Sequence, residues 1–217
     1  MVDRPRRRIP EATVIRLPVY LRILTEAGDD GVEHLSSDRL AELAGVNAAK
    51  VRKDLSHLGT YGTRGVGYDA TFLRFQISQA LGVANVWPVV VCGMGNLGRA
   101  LANHTGFTDR GFPVVAATDS DPNKIGTIVD GVPVHAPGEL GDIVRRLDVA
   151  IGVISTPAEA AQGTADALVA AGVTSIMSFA PTVLSAPDEV EIRSVDLATE
   201  LQILGFHLHR NRIAGDA

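Results

Sequence analysis

Only one cysteine, Cys92, stands in the 217 residues of this chain. That excludes an internal disulfide framework and leaves too few thiols for a cysteine-based zinc site. No run of about 18 apolar residues exists, so no transmembrane helix is expected. The opening stretch, Met1-Val2-Asp3-Arg4-Pro5-Arg6-Arg7-Arg8, leads into no apolar core region, so it does not read as a secretory signal. There is no internal repeat, and no low-complexity segment beyond those arginines. Hydrophobic residues reach 46% and charged residues 21%, ordinary globular usage that excludes wholesale disorder. The length allows one large domain or two small ones. A cytoplasmic protein is expected.

An excess of positive charge is also lacking: the formal net charge is −5. By itself this argues against non-specific nucleic-acid binding. The distribution is uneven, however. Residues 1–80 carry a net +2 and residues 81–217 a net −7. The cations of the first part cluster as an arm (Arg4, Arg6, Arg7, Arg8) and as Lys50, Arg52 and Lys53. Taken alone, such charge fits a solvated arm and a polar helix face as well as it fits nucleic-acid contact.

Residues 10–82 read as several helices with one glycine-rich turn. A helix from Pro10 to about Ala27 shows Val14, Leu17, Leu21 and Leu24 on one face, with a kink expected at Pro18. Ser36 or Ser37 can cap a helix over Asp38–Ala44, and Asn47 one over about Ala48–Leu58. Two short helices joined at Gly45-Val46 make a helix-turn-helix. Lys50, Arg52 and Lys53 lie off the apolar Val51/Leu55 face, where a recognition helix presents side chains to the major groove. Arginine reads guanine bidentately, and lysine more often neutralises phosphate. Gly59, Gly62, Gly65 and Gly67 exclude a helix next and favour a β-hairpin with Arg64 at its tip. Behind a helix-turn-helix this is a wing, and Arg64 and the arginine arm can each reach a minor groove.

Residues 86–195 alternate short β-branched runs with helical stretches, the pattern of a parallel sheet. Val86–Val91 reads as a buried strand running into Cys92-Gly93-Met94-Gly95-Asn96-Leu97-Gly98. Gly93, Gly95 and Gly98 satisfy G-x-G-x-x-G between a strand and a helix, the context the motif requires. They permit the tight turn, the approach of a pyrophosphate and the packing of helix on strand. A strand over Pro113–Ala117 ends at Thr118-Asp119, and Asp119 lies 21 residues past Gly98. An acid there binds the adenosine ribose and favours NAD over NADP, an exclusion slightly weakened by Lys124 nearby. Further strands are expected at Val132–His135, Val149–Ser155, Ser175–Phe179 and Val190–Ser194. Helices fit Gly138–Leu147 and Ala158–Ala171. Ser155-Thr156-Pro157 and Phe179-Ala180-Pro181 fall at strand ends on the ligand edge of such a sheet.

A dehydrogenase needs an acid or base beside the nicotinamide. His104, on the helix after the glycine loop, and His135, at a strand end, stand in no His/Asp or Tyr-x-x-x-Lys arrangement. Little chain remains for a substrate domain. No catalytic residue is assigned, although a small NAD-dependent oxidoreductase with helical dimerisation elements remains the alternative. Cys92 reads more readily as a small buried residue than as a redox thiol.

The chain resembles the Rex family of redox-sensing transcriptional repressors from about Ile9 to Gly205. Arg16-Leu17-Pro18-Val19-Tyr20, Val51-Arg52-Lys53-Asp54-Leu55-Ser56, Arg64-Gly65-Val66-Gly67-Tyr68-Asp69, Gly95-Asn96-Leu97-Gly98-Arg99-Ala100-Leu101 and Val195-Asp196-Leu197 carry the resemblance, in family order. It implies a homodimer that binds inverted-repeat operator DNA, leaves it on binding NADH, and binds NAD+ in competition without release. The implied fold is α/β: a winged helix-turn-helix domain (1–83), a Rossmann-like parallel-sheet domain (84–195) and a C-terminal segment (196–217). The family typically swaps this C-terminal helix between subunits. Leu197, Leu201, Leu204 and Leu208 suit burial against a partner, though docking on its own sheet remains open.

The expected dinucleotide set is Gly93, Met94, Gly95, Asn96, Leu97, Gly98, Asp119, Lys124, Ser155, Thr156, Pro157, Phe179 and His104, for NADH and NAD+. The expected DNA set is Arg6, Arg7, Arg8, Ser37, Asn47, Lys50, Arg52, Lys53, His57, Arg64 and Gly65. Arg16 is placed like the family arginine that pairs with an acid near the C-terminal helix, here Asp196, and reports cofactor state to the DNA-binding domain. No metal and no membrane partner is expected. The chain departs from the family where His104 replaces a common tyrosine, Ser178 a common asparagine, and His57 a tyrosine of the recognition helix.

Overall fold

The computed structural model describes residues 9–59, 62, 63 and 65–215. Arg6, Arg7, Arg8 and Arg64 of the expected DNA set lie outside the described residues. The chain divides into two compact units, Met1–Asn85 and Val86–Ala217.

In the first unit, the helix expected from Pro10 to Ala27 is two helices, α1 (Glu11–Val14) and α2 (Leu17–Asp29). The break falls at Ile15-Arg16 and not at Pro18. Proline has no N–H to give an earlier carbonyl, so the chain ends one helix and restarts with Pro18 in the first turn, where no donor is needed. A two-residue strand, β1 (His34–Leu35), precedes α3 (Ser37–Ala44), whose N-terminus is capped by the Ser36 hydroxyl accepting from the Arg39 N–H at 3.1 Å. Gly45, at φ +65°, ends α3. The helix α4 (Ala48–Ser56) starts at Asn47, whose side chain accepts from the Lys50 N–H at 2.8 Å.

Thr60, Tyr61 and Arg64 of the expected wing hairpin lie outside the described residues. Among the described residues the turn is closed by Thr63 and Gly67 exchanging backbone hydrogen bonds at 2.8 and 2.9 Å. The strand that follows, β2 (Tyr68–Asp69), pairs antiparallel with β1 rather than with an arm of its own. Gly67 makes this possible: a Cβ there would meet the Leu35 carbonyl oxygen at 2.5 Å. Asp69 then caps α5 (Ala70–Leu81), a helix that the sequence reading left unnamed, by accepting from the Phe72 N–H at 2.8 Å. The helix packs along α2. Leu17, Tyr20 and Leu24 of α2, Leu40, Val51 and Leu55 of the helix-turn-helix, and Leu73 and Ile77 of α5 form one core.

The second unit is a seven-stranded sheet in the order β5-β6-β4-β3-β7-β8-β9. The strands are β3 (Val89–Cys92), β4 (Val114–Thr118), β5 (Ile128–Val129), β6 (Val132–His135), β7 (Ile151–Ile154), β8 (Ser175–Ser178) and β9 (Glu191–Ser194). All pairings are parallel except β5 with β6, which turn tightly at Asp130-Gly131. The first strand begins at Val89, after Pro88, because proline cannot donate to the ladder. The topology runs outward from β3 to β4 and β6, then returns to β7 on the other side. That reversal makes a topological switch point, with its crevice at the strand C-termini.

Two layers cover the sheet. Val90, Cys92, Ala116 and Ile154 face α8 (Leu140–Leu147) and α9 (Ala158–Ala170), which contribute Ile143, Ala161, Ala165 and Leu168. A short 3-10 turn over Pro137–Glu139 takes the place of the expected first turn of α8. Val91, Met94, Ala117 and Val153 form the other layer, with Leu101 of α6 (Asn96–Ala102), Phe112 and Phe179 packed against it. His104 was expected on the helix after the glycine loop. It stands instead beyond the end of that helix, as the N-cap of α7 (Thr105–Thr108). The unit ends in α10 (Leu197–Gly215), whose described side chains are all exposed.

Candidate functional site

At the switch point β3 runs directly into the glycine loop, and each glycine there meets a different constraint. Gly93 has φ +99°, and a Cβ on it would stand 2.9 Å from the Ser155 carbonyl group. A Cβ on Gly98 would stand 1.8 Å from the Gly93 carbonyl oxygen, so α6 packs on the loop only with glycine there. A Cβ on Gly95 would meet nothing within 4 Å, because its face opens onto the cleft. Gly98→Ala is therefore expected to displace the loop from α6 and weaken NADH binding at least about tenfold, with Gly95→Ala costing fold stability little. NADH fluorescence titration and thermal melts of both variants check this.

The cleft has a volume of about 820 Å³, within the usual range for small-molecule sites. It brings together Gly93, Gly95, Asp119, Lys124, Ser155, Thr156 and Pro157 of the expected dinucleotide set. Asp119 Oδ2 accepts from the Met94 N–H at 2.7 Å and from Lys124 Nζ at 3.1 Å, and its Oδ1 accepts from the Asp121 N–H at 2.8 Å. Burial alone would raise its pKa. The two backbone N–H groups and the lysine outweigh burial and hold the carboxyl below its ordinary value. Ser155 uses its hydroxyl internally, donating to the Gly93 carbonyl at 2.8 Å, and so straps the end of β7 to the loop. Thr156 Oγ1 is buried without a hydrogen-bond partner. Such an atom in a cleft can be satisfied by a polar ligand or by water.

These features fit a dinucleotide. The open face at Gly95 leaves room for a pyrophosphate, Asp119 offers a carboxylate to ribose hydroxyls, and Thr156 holds an unspent hydroxyl. Other expected residues lie apart from the cleft. The Met94 side chain is wholly buried in the second core layer and Gly98 is buried, whereas Asn96 and Leu97 are exposed. Phe179 packs against the α6 side of the sheet, and His104 sets its ring edge-on to Phe107 at 4.7 Å. The sequence reading missed Ala160, Gly163, Thr164 and Ala167, which wall the cleft from α9. Their small size at helical spacing was the available signal. Cys92 is buried at the cleft's floor, and burial pushes its thiol up to about 11 against a weaker lowering by Thr118, so it is protonated at neutral pH. Among the described residues no cluster of His, Cys, Asp or Glu is placed to hold a metal, and no helix is long and apolar enough to cross a membrane.

In the first unit, α4 turns Val51 and Leu55 inward and leaves Lys50, Arg52 and Lys53 exposed. Arg52 donates to the Ser37 hydroxyl at 2.9 Å, which braces the guanidinium from the preceding helix. Arg52, Lys53, Ser37 and Gly65 share a recess of about 760 Å³ between α4 and the Thr63–Gly67 turn. Asn47 spends its side-chain oxygen on the cap, and His57 ends α4 half-buried.

The sequence reading gave Asp54 no role. Its side chain is 2% exposed and accepts from Arg16 twice, at 2.6 and 2.7 Å, from Tyr20 at 2.9 Å and from Thr13 at 2.9 Å. Burial pushes the Asp54 carboxyl upward, but these donors and the Arg16 charge win and hold it below its ordinary value. Burial and the bond to Asp54 raise Tyr20 to about 12. A depressed carboxyl pKa stabilises the fold fully above the unfolded value, and that stabilisation is lost as pH falls through the folded value. Asp54→Asn is thus expected to cost roughly 2–4 kcal/mol at pH 7. The gap to the parent should narrow below about pH 4, as urea melts across pH 3–7 would show. Asp196 accepts from the N–H groups of Ala198 and Thr199 and from the Thr199 hydroxyl, so it caps α10.

A helix-turn-helix with an outward cationic face, joined in one chain to a switch-point dinucleotide cleft, defines a ligand-responsive DNA-binding protein. Residues 8–56 match the family described as putative DNA-binding protein N-terminus, and residues 84–182 the one described as CoA binding domain. The chain is 59% identical over 204 residues to the redox-sensing transcriptional repressor Rex of Streptomyces avermitilis, covering 94% of this chain and 81% of that one. It is 47% identical to the Rex of Desulfitobacterium hafniense, covering 94% and 98%. It also superposes on a solved Rex-family repressor, RSP, at TM-score 0.88 and 33% identity, covering 96% and 97%. A structure of RSP with β-NAD+ and operator DNA matches at TM-score 0.89 and 33% identity, covering 96% of each chain. The chain belongs to the Rex family of redox-sensing transcriptional repressors.

Proposed function

We propose that this chain represses transcription as a homodimer on inverted-repeat operator DNA and leaves the DNA when NADH fills the cleft, with NAD+ competing for the same site. The observation that carries this reading is the Rex similarity across both units, with the cleft and the recognition helix each intact in its own unit. The named relatives are repressors, which disfavours the oxidoreductase alternative. RSP has been solved with operator DNA and β-NAD+, and also with β-NADH. The chain would act in the cytoplasm, where operator DNA and the NADH pool meet.

Gly93, Gly95, Asp119, Lys124, Thr156 and Pro157 would hold the adenosine and pyrophosphate, with Met94, Asn96, Leu97 and Gly98 shaping the loop and Ser155 bracing it. Phe179 and His104, on the α6–α7 side of the sheet, are proposed for the nicotinamide end. An apolar surround there favours the uncharged reduced ring, because burying an unpaired charge is costly. Ligand shifts the DNA-binding equilibrium only by its differential affinity for the two arrangements of the protein. Arg16 and Asp196 are the proposed pair that carries the difference to the DNA-binding unit, where Ser37, Asn47, Lys50, Arg52, Lys53, His57 and Gly65, with Arg6, Arg7, Arg8 and Arg64, contact DNA. The exposed apolar residues of α10, among them Leu197 (60%), Leu201 (69%), Leu204 (63%) and Leu208 (56%), would be covered by the second subunit.

The test is fluorescence anisotropy with inverted-repeat duplexes, titrated with NADH and then NAD+. Binding abolished by NADH and spared by NAD+ is expected. Specific binding indifferent to both would overturn the redox reading, and absence of specific binding would return the oxidoreductase alternative.

A further inference from the structure

The sheet order says where each half of a dinucleotide would lie. Asp119 follows β4 on one side of β3, whereas β7 and β8 lie on the other side. With its adenosine at Asp119 and its pyrophosphate over Gly95, a dinucleotide runs on across the ends of β7 and β8. The nicotinamide half therefore meets the segments that follow those strands. The segment after β7 is short and leads straight into α9. The segment after β8 has neither helix nor strand until β9, so no regular ladder sets its course. Its near end is tied to the sheet, where the Phe179 N–H donates to the Ile154 carbonyl at 2.8 Å. Its far end is tied to one side chain of α9. Gln162 Oε1 accepts from the Ser185 N–H at 2.9 Å, and Gln162 Nε2 donates to the Ser185 carbonyl at 2.9 Å. A primary amide thus engages both backbone groups of one residue, as a neighbouring strand would. The Gln162 Nε2 group also donates to Asp166 Oδ1 at 2.8 Å, one helical turn on, which orients the amide. From Val183 to Ala186 the two Gln162 bonds are the only hydrogen bonds among the described residues. Between the anchors stand Val183, 93% exposed, and Leu184, packed against the core under α8 and α9. Gln162 itself does not line the cleft, whose α9 wall is Ala160, Gly163, Thr164 and Ala167.

We infer that Gln162 is a positioning residue for the nicotinamide half of the ligand, because it holds the segment after β8 in place at the rim before ligand arrives. The inference rests on the dinucleotide reading above. A segment without its far anchor samples many conformations and loses that freedom when ligand binds, whereas a segment already pinned does not. That cost falls on ligands that carry the nicotinamide ring. ADP-ribose, the same molecule without the ring, does not use the contact and escapes the cost.

The test uses the full-length protein and two variants. Gln162→Met keeps the length of the side chain and loses its hydrogen bonds, and Asp166→Ala leaves the Ser185 bonds in place. NADH affinity and the gain in NADH emission on binding are read by fluorescence, and ADP-ribose affinity by calorimetry. Gln162→Met is expected to weaken NADH about five- to twentyfold and to reduce the emission gain, with ADP-ribose within about twofold of the parent. Asp166→Ala is expected to change NADH affinity by no more than about twofold. Equal loss of both ligands in Gln162→Met overturns the inference, since damage to the fold or to the α9 wall does not distinguish a ligand with the ring from one without it. A loss in Asp166→Ala as large as that in Gln162→Met also overturns it, and puts the effect in the surface charge of α9. If Gln162→Met does not fold, Gln162→Glu keeps the acceptor for the Ser185 N–H and loses only the donation to its carbonyl. It is expected to weaken NADH about threefold and to spare ADP-ribose, and the parent's values in that variant overturn the inference. A parent that binds neither ligand overturns the dinucleotide reading and this inference with it. A parent that binds both, with Gln162→Met indistinguishable from it, leaves that reading standing and overturns the inference alone.

Discussion

A chain ending at residue 196 is expected to be a folded monomer that binds operator at least about a hundredfold more weakly than the parent. The argument starts from burial. Leu197, Leu201, Ile203, Leu204, Phe206 and Leu208 are each 48–69% exposed, and none contributes to the three cores of the chain. Removing α10 therefore takes no residue from those cores. A second copy that covers these side chains gains roughly 1.5–3 kcal/mol for each one fully buried. The two-fold repeats that gain on the other subunit, enough to hold a dimer at low concentration. Operator binding then suffers for a geometric reason. Two half-sites engaged by one dimer make the second contact intramolecular, and a monomer forfeits that effective concentration. Analytical ultracentrifugation and anisotropy on full and half operators check both parts. A truncated chain that sediments like the parent would place the dimer interface elsewhere.

Much of the architecture was legible because it follows from local chemistry. The strand over Val132–His135 and the helix over Ala158–Ala170 announce themselves through alternating valines and an alanine-rich run that Gly163 does not break. Asn47 as the start of α4 is a side-chain oxygen placed where an orphan N–H needs it. The glycine loop is legible because Gly93 and Gly98 answer steric demands that no other residue meets, and Gly95 keeps their spacing. What was not legible depends on partners distant in sequence. The strand Tyr68–Asp69 belongs to β1, 34 residues earlier, and a two-residue pairing has no periodicity to read. Asp54 looks like one more charge in an Arg-Lys-Asp run until Thr13, Arg16 and Tyr20 are brought to it from more than 30 residues away. The spacing marked Asp119 as a candidate ribose acceptor. Its grip on the Met94 N–H and on Lys124 required the fold.

Arg52 and Lys53 stand side by side on α4, yet their removal is expected to fail differently. Arg52 is braced by the Ser37 hydroxyl, so its planar fork is held ready for a base edge. Arg52→Ala should cost about 1–3 kcal/mol for each half-site and relax discrimination at a single base position. Because the dimer carries the change twice, the whole operator should lose roughly two to four orders of magnitude in affinity if the half-sites contribute independently. Lys53 has no side-chain partner in the described residues that fixes its direction, and an ammonium is a point charge suited to phosphate. Lys53→Ala should weaken specific and non-specific duplexes alike and reduce the dependence of log affinity on log salt by about two, one phosphate for each subunit. Anisotropy titrations on the operator, on single-base variants and on random duplex, each at several salt concentrations, separate the two behaviours. A uniform loss from Arg52→Ala across all duplexes would assign that residue to the backbone instead. The Ser37 bond would then brace a phosphate contact, and base reading would fall to Lys50 or to the residues of the Thr63–Gly67 turn.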